Sequence, residues 1–385
     1  MRICHVITRL IVGGAQENTL LTCEGLARRG HDVTLIAGPT SGPEGSLTER
    51  ARRGGYRYIE LPCLVRRIDP LRDARAVLEL GRLYRERRAD VVHTHSSKAG
   101  IVGRLAAACA RVPMVVHTIH GMSFNRTQPT WMQAAFAELE QLCATRTHRI
   151  LCVADAMTRA SLAAGVGHPH QYVTVYSGME VSRFDPAVYD RAAVRRQLGF
   201  AEGALVVATV ARLFRNKGYE QLLPVMERVA AERPELRFLW VGDGAQRRDY
   251  EAELARRGLR SRTTLTGLAP PEQLPELLSA ADMLVHASMW EGLPRAVVQA
   301  LLMEVPAICF DLDGAPEVVR SGETGLLVPP GDSTALARAI LELAGSAERR
   351  RALGRAGRRL CRERFDHVRM VDAIEAVYRE GPRGV

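Results

Sequence analysis

Apolar and polar positions change period along this chain in a regular way. Short runs rich in β-branched residues, with few polar interruptions, alternate with stretches whose apolar positions recur at helical spacing. In the first half the runs are Ile3–Ile7, Asp32–Ala37, Arg57–Leu61, Val91–Thr94, Met114–Thr118, Ile150–Val153 and Tyr172–Tyr176. Helical patterns fill the gaps, among them Ala15–Arg29, Leu71–Arg88, Lys98–Ala110 and Trp131–Ala144. The alternation restarts with Leu205–Ala211, Arg237–Val241, Thr263–Thr266, Met283–His286 and Ala307–Phe310. Strands of this kind, spaced by helices, predict parallel sheets covered on both faces. Between residues 177 and 200, Gly178, Pro186 and a shift to charged residues mark a linker. The reading is α/β, with two doubly wound parallel-sheet domains, 1–185 and 186–365. The last segment, "FDHVRMVDAIEAVYRE", places Val368, Val371, Ile374 and Val377 at helical spacing.

Composition adds limits. The 385 residues are 46% hydrophobic and 25% charged, as expected for a soluble two-domain chain. No apolar run approaches the ~18 residues of a membrane span. The opening "MRICHVITRLIVGGA" reads as a buried strand rather than a signal peptide. The eight cysteines form no Cys-x-x-Cys pair. They are expected to be reduced, buried hydrophobes of a cytoplasmic protein, and no metal site is expected. Net charge is +10, and residues 1–185 carry most of it, with an excess of arginine between Arg50 and Arg88. Such a face either docks a polyanion or is simply solvated. No interleaved aromatics or nucleic-acid module accompany it, so nucleic acid is not an expected partner.

In doubly wound sheets ligands bind beyond the carboxyl ends of the strands. Two such domains face to face would form a cleft, so residues just past strand ends are the candidates. Gly13 and Gly14 stand between a strand and a helix, where backbone amides can meet a phosphate, although no Gly-x-Gly-x-x-Gly is present. Arg212 and Lys217, in "ARLFRNKG", suit a diphosphate, one as a fork and one as a point charge. Gly242 and Asp243, in "VGDG", either touch a nucleotide or only make a turn. His120 follows a strand and precedes a glycine.

The stretch "SMWEGLPRAVVQALLMEVP" carries the most information. Pro294 suits the first turn of a helix, and Gly292 and Leu293 then offer amides at its positive end. Glu291 stands just ahead of that turn. Gln299 falls inside an otherwise apolar helix, where a buried amide either bonds nearby backbone or faces a ligand. Asp311 and Asp313, in "FDLDG", continue a strand into a turn and are not read as a metal site.

Taken in order, "GGAQ", "HTHSSKAGIVGRLAA", "HTIHG", "ARLFRNKG", "VGDG", "EGLPRAVVQA" and "GAPEVVRSGETGLLVPPGD" resemble a retaining glycosyltransferase of family 4 with the GT-B fold. The resemblance covers nearly the whole chain. It implies a nucleotide-diphospho-sugar donor, most often UDP-linked, held mainly by the second domain. It further implies a sugar or lipid-linked acceptor on the first, and no cofactor or metal. Arg212 and Lys217 then resemble the diphosphate pair, and Glu291 resembles the first Glu of a Glu-x7-Glu motif that contacts sugar hydroxyls. Gly292, Leu293 and Pro294 resemble its backbone contacts. Gly13 and Gly14 resemble a loop over the phosphates, and His120 the histidine beside the donor sugar. The final helix, 366–385, resembles one that returns to the first domain. Two residues depart from the pattern. Gln299 replaces the second Glu, and Asp313 replaces a Gly of an Asp-x-Gly-Gly turn. The expected setting is polysaccharide or glycolipid synthesis at the cytoplasmic face of a membrane, docked through the Arg50–Arg88 region. The competing reading, prompted by Gln299, is a catalytically silent GT-B subunit or regulator.

Overall fold

In the computed structural model of this chain, residues 1–42, 44–124 and 128–381 are described. The chain divides into two compact units, Met1–Gly178 with His367–Val385, and Met179–Asp366. The first unit is built on β1 (Arg2–Ile7), β2 (Asp32–Ala37), β3 (Arg57–Glu60), β4 (Val91–His95), β5 (Met114–Ile119), β6 (Arg149–Cys152) and β7 (Tyr172–Thr174). They form a parallel sheet in the order β3-β2-β1-β4-β5-β6-β7. The intervening helices are α1 (Gly14–Arg28), α2 (Thr48–Arg52), α3 (Pro70–Glu86), α4 (Ser97–Ala110), α5 (Thr130–Ala144) and α6 (Asp155–Ala163).

The second unit holds β8 (Leu205–Val210), β9 (Leu236–Val241), β10 (Thr263–Gly267), β11 (Met283–His286), β12 (Ala307–Phe310) and β13 (Gly325–Val328). Their order is β10-β9-β8-β11-β12-β13, again parallel. Its helices are α7 (Arg191–Gln197), α8 (Tyr219–Glu232), α9 (Arg247–Arg256), α10 (Leu274–Ser279), α11 (Arg295–Leu302), α12 (Ala315–Val318), α13 (Ser333–Gly345) and α14 (Ala347–Arg364). The chain then returns to the first unit as α15 (His367–Glu380). The pattern predicts an α/β chain with parallel sheets, and that is what forms. β13 was not expected, because "GLLV" is short and hemmed in by Gly and Pro.

Alternation along each strand sorts side chains to two faces. Ile3, Ile7, Val91 and Val116 pack with Leu20 and Leu21 of α1 and with Val371, Ile374 and Val377 of α15. Cys4, Val6, Val92 and Val115 pack on the other face with Ala76 and Leu80 of α3 and Ala99 and Ala106 of α4. Covering both faces favours apolar residues in the strands, and the polar ones that remain, such as His5, Thr94 and His117, are buried with them.

Two features hold α15 in place. Gly25 of α1 leaves room for Val371, and a Cβ there would come within 2.6 Å of it. At the rim, Arg29 pairs with Glu375 at 2.7 Å and His31 reaches the same carboxylate at 3.0 Å. The apolar stripe is not the one expected throughout. Val368 is 49% exposed, while Met370 and Tyr378 are buried. The helix begins only at His367, so Val368 lies in a first turn that faces solvent.

In both sheets the strand order reverses once, between β1 and β4 and between β8 and β11. These are the switch points beyond which doubly wound sheets bind ligands. Every described cysteine is free; all are buried except Cys109. Among the described residues no helix is long and apolar enough to cross a membrane.

Candidate active site

The second unit's switch point brings together the loops after β8 and β11. They touch backbone to backbone. A Cβ on Gly218 would lie 1.9 Å from the carbonyl oxygen of Ala287, and Gly218 also sits at φ +84°, so only glycine fits. The Asn216 carbonyl accepts from the Met289 amide at 3.0 Å and the Ser288 hydroxyl at 3.3 Å.

This approach delivers Lys217 Nζ to 2.6 Å from Glu291 Oε1, with Ser288 Oγ 3.5 Å away. His286, the last residue of β11, places Nε2 3.3 Å from the same carboxylate oxygen. The Glu291 amide donates to Asp313 Oδ2 at 2.9 Å. Asp313 does so from a left-handed backbone, φ +52°, which a short polar side chain tolerates better than most. The residue that departs from the Asp-x-Gly-Gly pattern thus keeps the turn and adds an acceptor. Burial pushes the Glu291 carboxyl up, but the Lys217 ammonium, with His286 beside it, outweighs this and holds it well below the usual range. The site therefore presents a carboxylate and a cation side by side at neutral pH.

The other expected residues are placed as follows. Arg212 is exposed on the loop that carries Lys217, its guanidinium 5.0 Å above the Phe214 ring. Gly292, Leu293 and Pro294 are buried. Pro294 does not occupy the first turn of α11. It is the cap residue, and the helix starts at Arg295. Gln299 is 8% exposed on α11. No hydrogen bond among the described residues reaches its side-chain amide.

Gly242, at φ +145°, lies so close to Ala211 that a Cβ would meet its carbonyl oxygen at 2.1 Å. The Asp243 carboxylate accepts from the Gly244 amide at 2.8 Å and from Arg247 at 2.9 Å. Each oxygen of that carboxylate thus has a partner within the second unit.

In the first unit, Gly13 caps α1 with extended backbone and Gly14 opens it, so the first-turn amides have no intrahelical partner. His120 follows β5 and sets Nε2 3.0 Å from His95 Nδ1. His286, Ser288 and the acceptor role of Asp313 belong to no motif. A polar residue ending a buried strand was the one signal for His286.

Known proteins resemble the chain along its length. The model of the glycosyl transferases group 1 family matches residues 190–360, and that of the glycosyl transferase 4-like domain matches residues 13–178. A relative from Escherichia coli is the UDP-Gal:alpha-D-GlcNAc-diphosphoundecaprenol alpha-1,3-galactosyltransferase. It is 27% identical, covering 98% of this chain and 96% of that protein. Another is the putative glycosyltransferase EpsD of Bacillus subtilis, 29% identical over 75% of this chain and 76% of its own. Among solved structures, Anabaena HepE in complex with UDP-glucose superposes with a TM-score of 0.84 at 23% identity, over 99% of this chain and all of that one. With two parallel-sheet units, and with the two models together spanning most of its length, the chain belongs to the group 1 glycosyltransferases and has the GT-B fold.

Proposed function

We propose that this glycosyltransferase moves a sugar from a UDP-sugar to a hydroxyl of a lipid-linked acceptor, with retention at the anomeric carbon and without a metal ion. The observation that carries this reading is the Lys217–Glu291 pair at the switch point. Transfer breaks the bond between the anomeric carbon and the diphosphate oxygen. Negative charge grows on the leaving group and positive charge on the sugar. Lys217 and Arg212 supply two cations for the diphosphate, and preorganised charge of this kind lowers the barrier without a Lewis acid. Glu291 stays ionised and accepts from sugar hydroxyls. The amides of Gly292 and Leu293 and the Gln299 side chain complete the donor contacts. In the first unit, the α1 amides at Gly13 and Gly14 serve the phosphates and His120 serves the sugar. UDP is the chosen base because the Escherichia coli relative's name specifies UDP-Gal and HepE binds UDP-glucose.

The anomeric outcome tests the reaction class. Incubated with an α-linked UDP-sugar and a polyprenyl-diphosphate-sugar acceptor, the enzyme is expected to form an α-linked product, read from the anomeric coupling by NMR. A β-linked product contradicts retention.

Gln299 also makes a graded prediction. A carboxylate can accept from two ribose hydroxyls, whereas an amide accepts at one atom and donates at the other. Gln299→Glu is expected to tighten UDP binding by about 1 kcal/mol, roughly fivefold, in titration calorimetry.

The acceptor's lipid is assigned to the first unit on the surface of α3. Leu71 and Leu78 are 85% and 72% exposed there, and Arg75 and Arg82 share their stripe at helical spacing. Ile68 stands exposed just ahead of the helix. Arg75 and Arg82 pair with Glu79 and Glu86, but such exposed pairs contribute little and yield readily to lipid phosphates. Anionic vesicles are expected to float the protein, with the effect lost in high salt and in Leu71→Asp/Leu78→Asp. Flotation indifferent to anionic lipid and to salt contradicts this docking.

A further inference from the structure

Three imidazoles run in file through the first unit's sheet. His5 on β1 and His93 on β4 are register partners, as are His95 on β4 and Thr118 on β5. Period-two alternation therefore turns His5, His93 and His95 to one face, and each is fully buried. His5 Nδ1 lies 3.0 Å from His95 Nε2, and His95 Nδ1 lies 3.0 Å from His120 Nε2. The rings of both pairs are stacked with centroids 5.3 Å apart. His93 stands beside the file rather than in it, its nitrogens taken by the Tyr378 hydroxyl of α15 at 2.5 Å and the Thr118 hydroxyl at 2.6 Å. The file ends inward at His5 Nε2, which is buried and pairs with no described group.

That end sets the direction of every proton. A neutral imidazole carries one N–H and one lone pair. Burial keeps these rings neutral: it pulls His5 down to about 3 and His95 well below the ordinary histidine range. A buried N–H without a partner is rarer and more costly than an unused acceptor. His5 Nε2 is therefore the lone pair, and Nδ1–H donates to His95 Nε2. His95 must then carry its proton on Nδ1 and donate it to His120 Nε2. His120, with Nε2 occupied as acceptor, keeps its own proton on Nδ1.

We infer that His5 and His95 are positioning residues that fix His120 as a neutral imidazole, donating through Nδ1–H to an oxygen of the sugar substrate. Protonating His120 on Nε2 would set N–H against N–H. Relief requires both inner rings to reverse, which strands an N–H on His5. The file thus makes His120 a hydrogen-bond donor and withholds it from general-base work. The substrate contact rests on the proposed donor role of His120; the tautomer does not.

The test is long-range proton–nitrogen NMR of the full chain labelled with 15N-histidine, without ligand, with signals assigned by His5→Gln, His95→Gln and His120→Gln. Expected are Nδ1–H patterns for His5, His95 and His120, and no imidazolium signal from His120 at pH 6. An Nε2–H pattern at His120, or its titration near pH 6, overturns the inference. In His95→Phe, His120 is expected to lose its single tautomer and to titrate; an unchanged His120 signal also overturns it. Should that variant fail to fold, the unmodified protein's spectrum decides. Because no donor is present, absence of nucleotide binding would refute the donor assignment and leave this result standing.

Discussion

Replacing Lys217 by alanine is expected to lower sugar transfer by about 10²–10³-fold, the usual scale for removing one preorganised charge from a transition state. The substitution removes two things at once. It deletes a cation proposed for the departing diphosphate. It also strips Glu291 of the ammonium 2.6 Å from its carboxylate. The direction of the Glu291 shift makes the pH dependence specific. Its carboxyl is held below the ordinary value, so the stability it contributes is fully present above the unfolded value, about 4.3. That contribution is lost only as pH falls through the lower folded value. The native enzyme should therefore keep its site charged throughout the neutral range. In Lys217→Ala, burial pushes the carboxyl upward with only His286 left to oppose it, and the remaining activity should fall on mild acidification where the native enzyme's does not. Lys217→Arg restores the charge but not the compact ammonium, and partial recovery is expected. Initial rates of UDP release across pH, with melting curves to check folding, measure all three.

The largest effect on stability is expected in the first unit, away from any proposed chemistry. Arg104 on α4 and Glu140 on α5 pair at 2.5 Å with side-chain exposures of 1% and 9%. Arg104 Nε also donates to the Gly100 carbonyl at 2.8 Å. Removing one partner of such a pair leaves a buried charge unopposed. Glu140→Ala is expected to cost about 3–5 kcal/mol. In a unit of this size that lowers Tm by on the order of 10 °C. Arg104→Met/Glu140→Leu replaces both charges by apolar volume and should be close to neutral. Calorimetry of the single and double variants separates a necessary pair from a stabilising one.

Why some of this was legible in the sequence and some was not has a physical basis. Parallel strands buried on both faces are mostly apolar and β-branched, so β1, β4, β5, β8 and β11 announced themselves although His5, His93, His117 and His286 interrupt them. Glycines and charges at strand ends pointed to Lys217, Glu291 and His120 because ligand sites in doubly wound sheets lie there. Contacts made by tertiary approach left no such mark. Nothing near Arg104, in "GRLAAACA", distinguishes a buried, paired arginine from a solvated one. The Lys217–Glu291 contact depends on Gly218 letting its loop meet Ala287, and Gly218 was one glycine among many. Asp313 looked like a disturbance to a turn until its carboxylate was found on the Glu291 amide. Pro294 as a cap and Val368 in solvent are end effects, set by where each helix begins rather than by its period.

Nucleotide binding is the claim on which the rest depends. Melting curves of the full chain should be recorded with UDP, GDP, ADP and UDP-sugars, each with Mg²⁺ and with chelator, and repeated for Lys217→Ala. Ligands that bind only the folded state raise Tm in proportion to their affinity. The predicted result is stabilisation by UDP and a UDP-sugar beyond GDP or ADP, unchanged by chelator and lost in Lys217→Ala. No shift with any nucleotide, or a shift that disappears with chelator, would contradict the account.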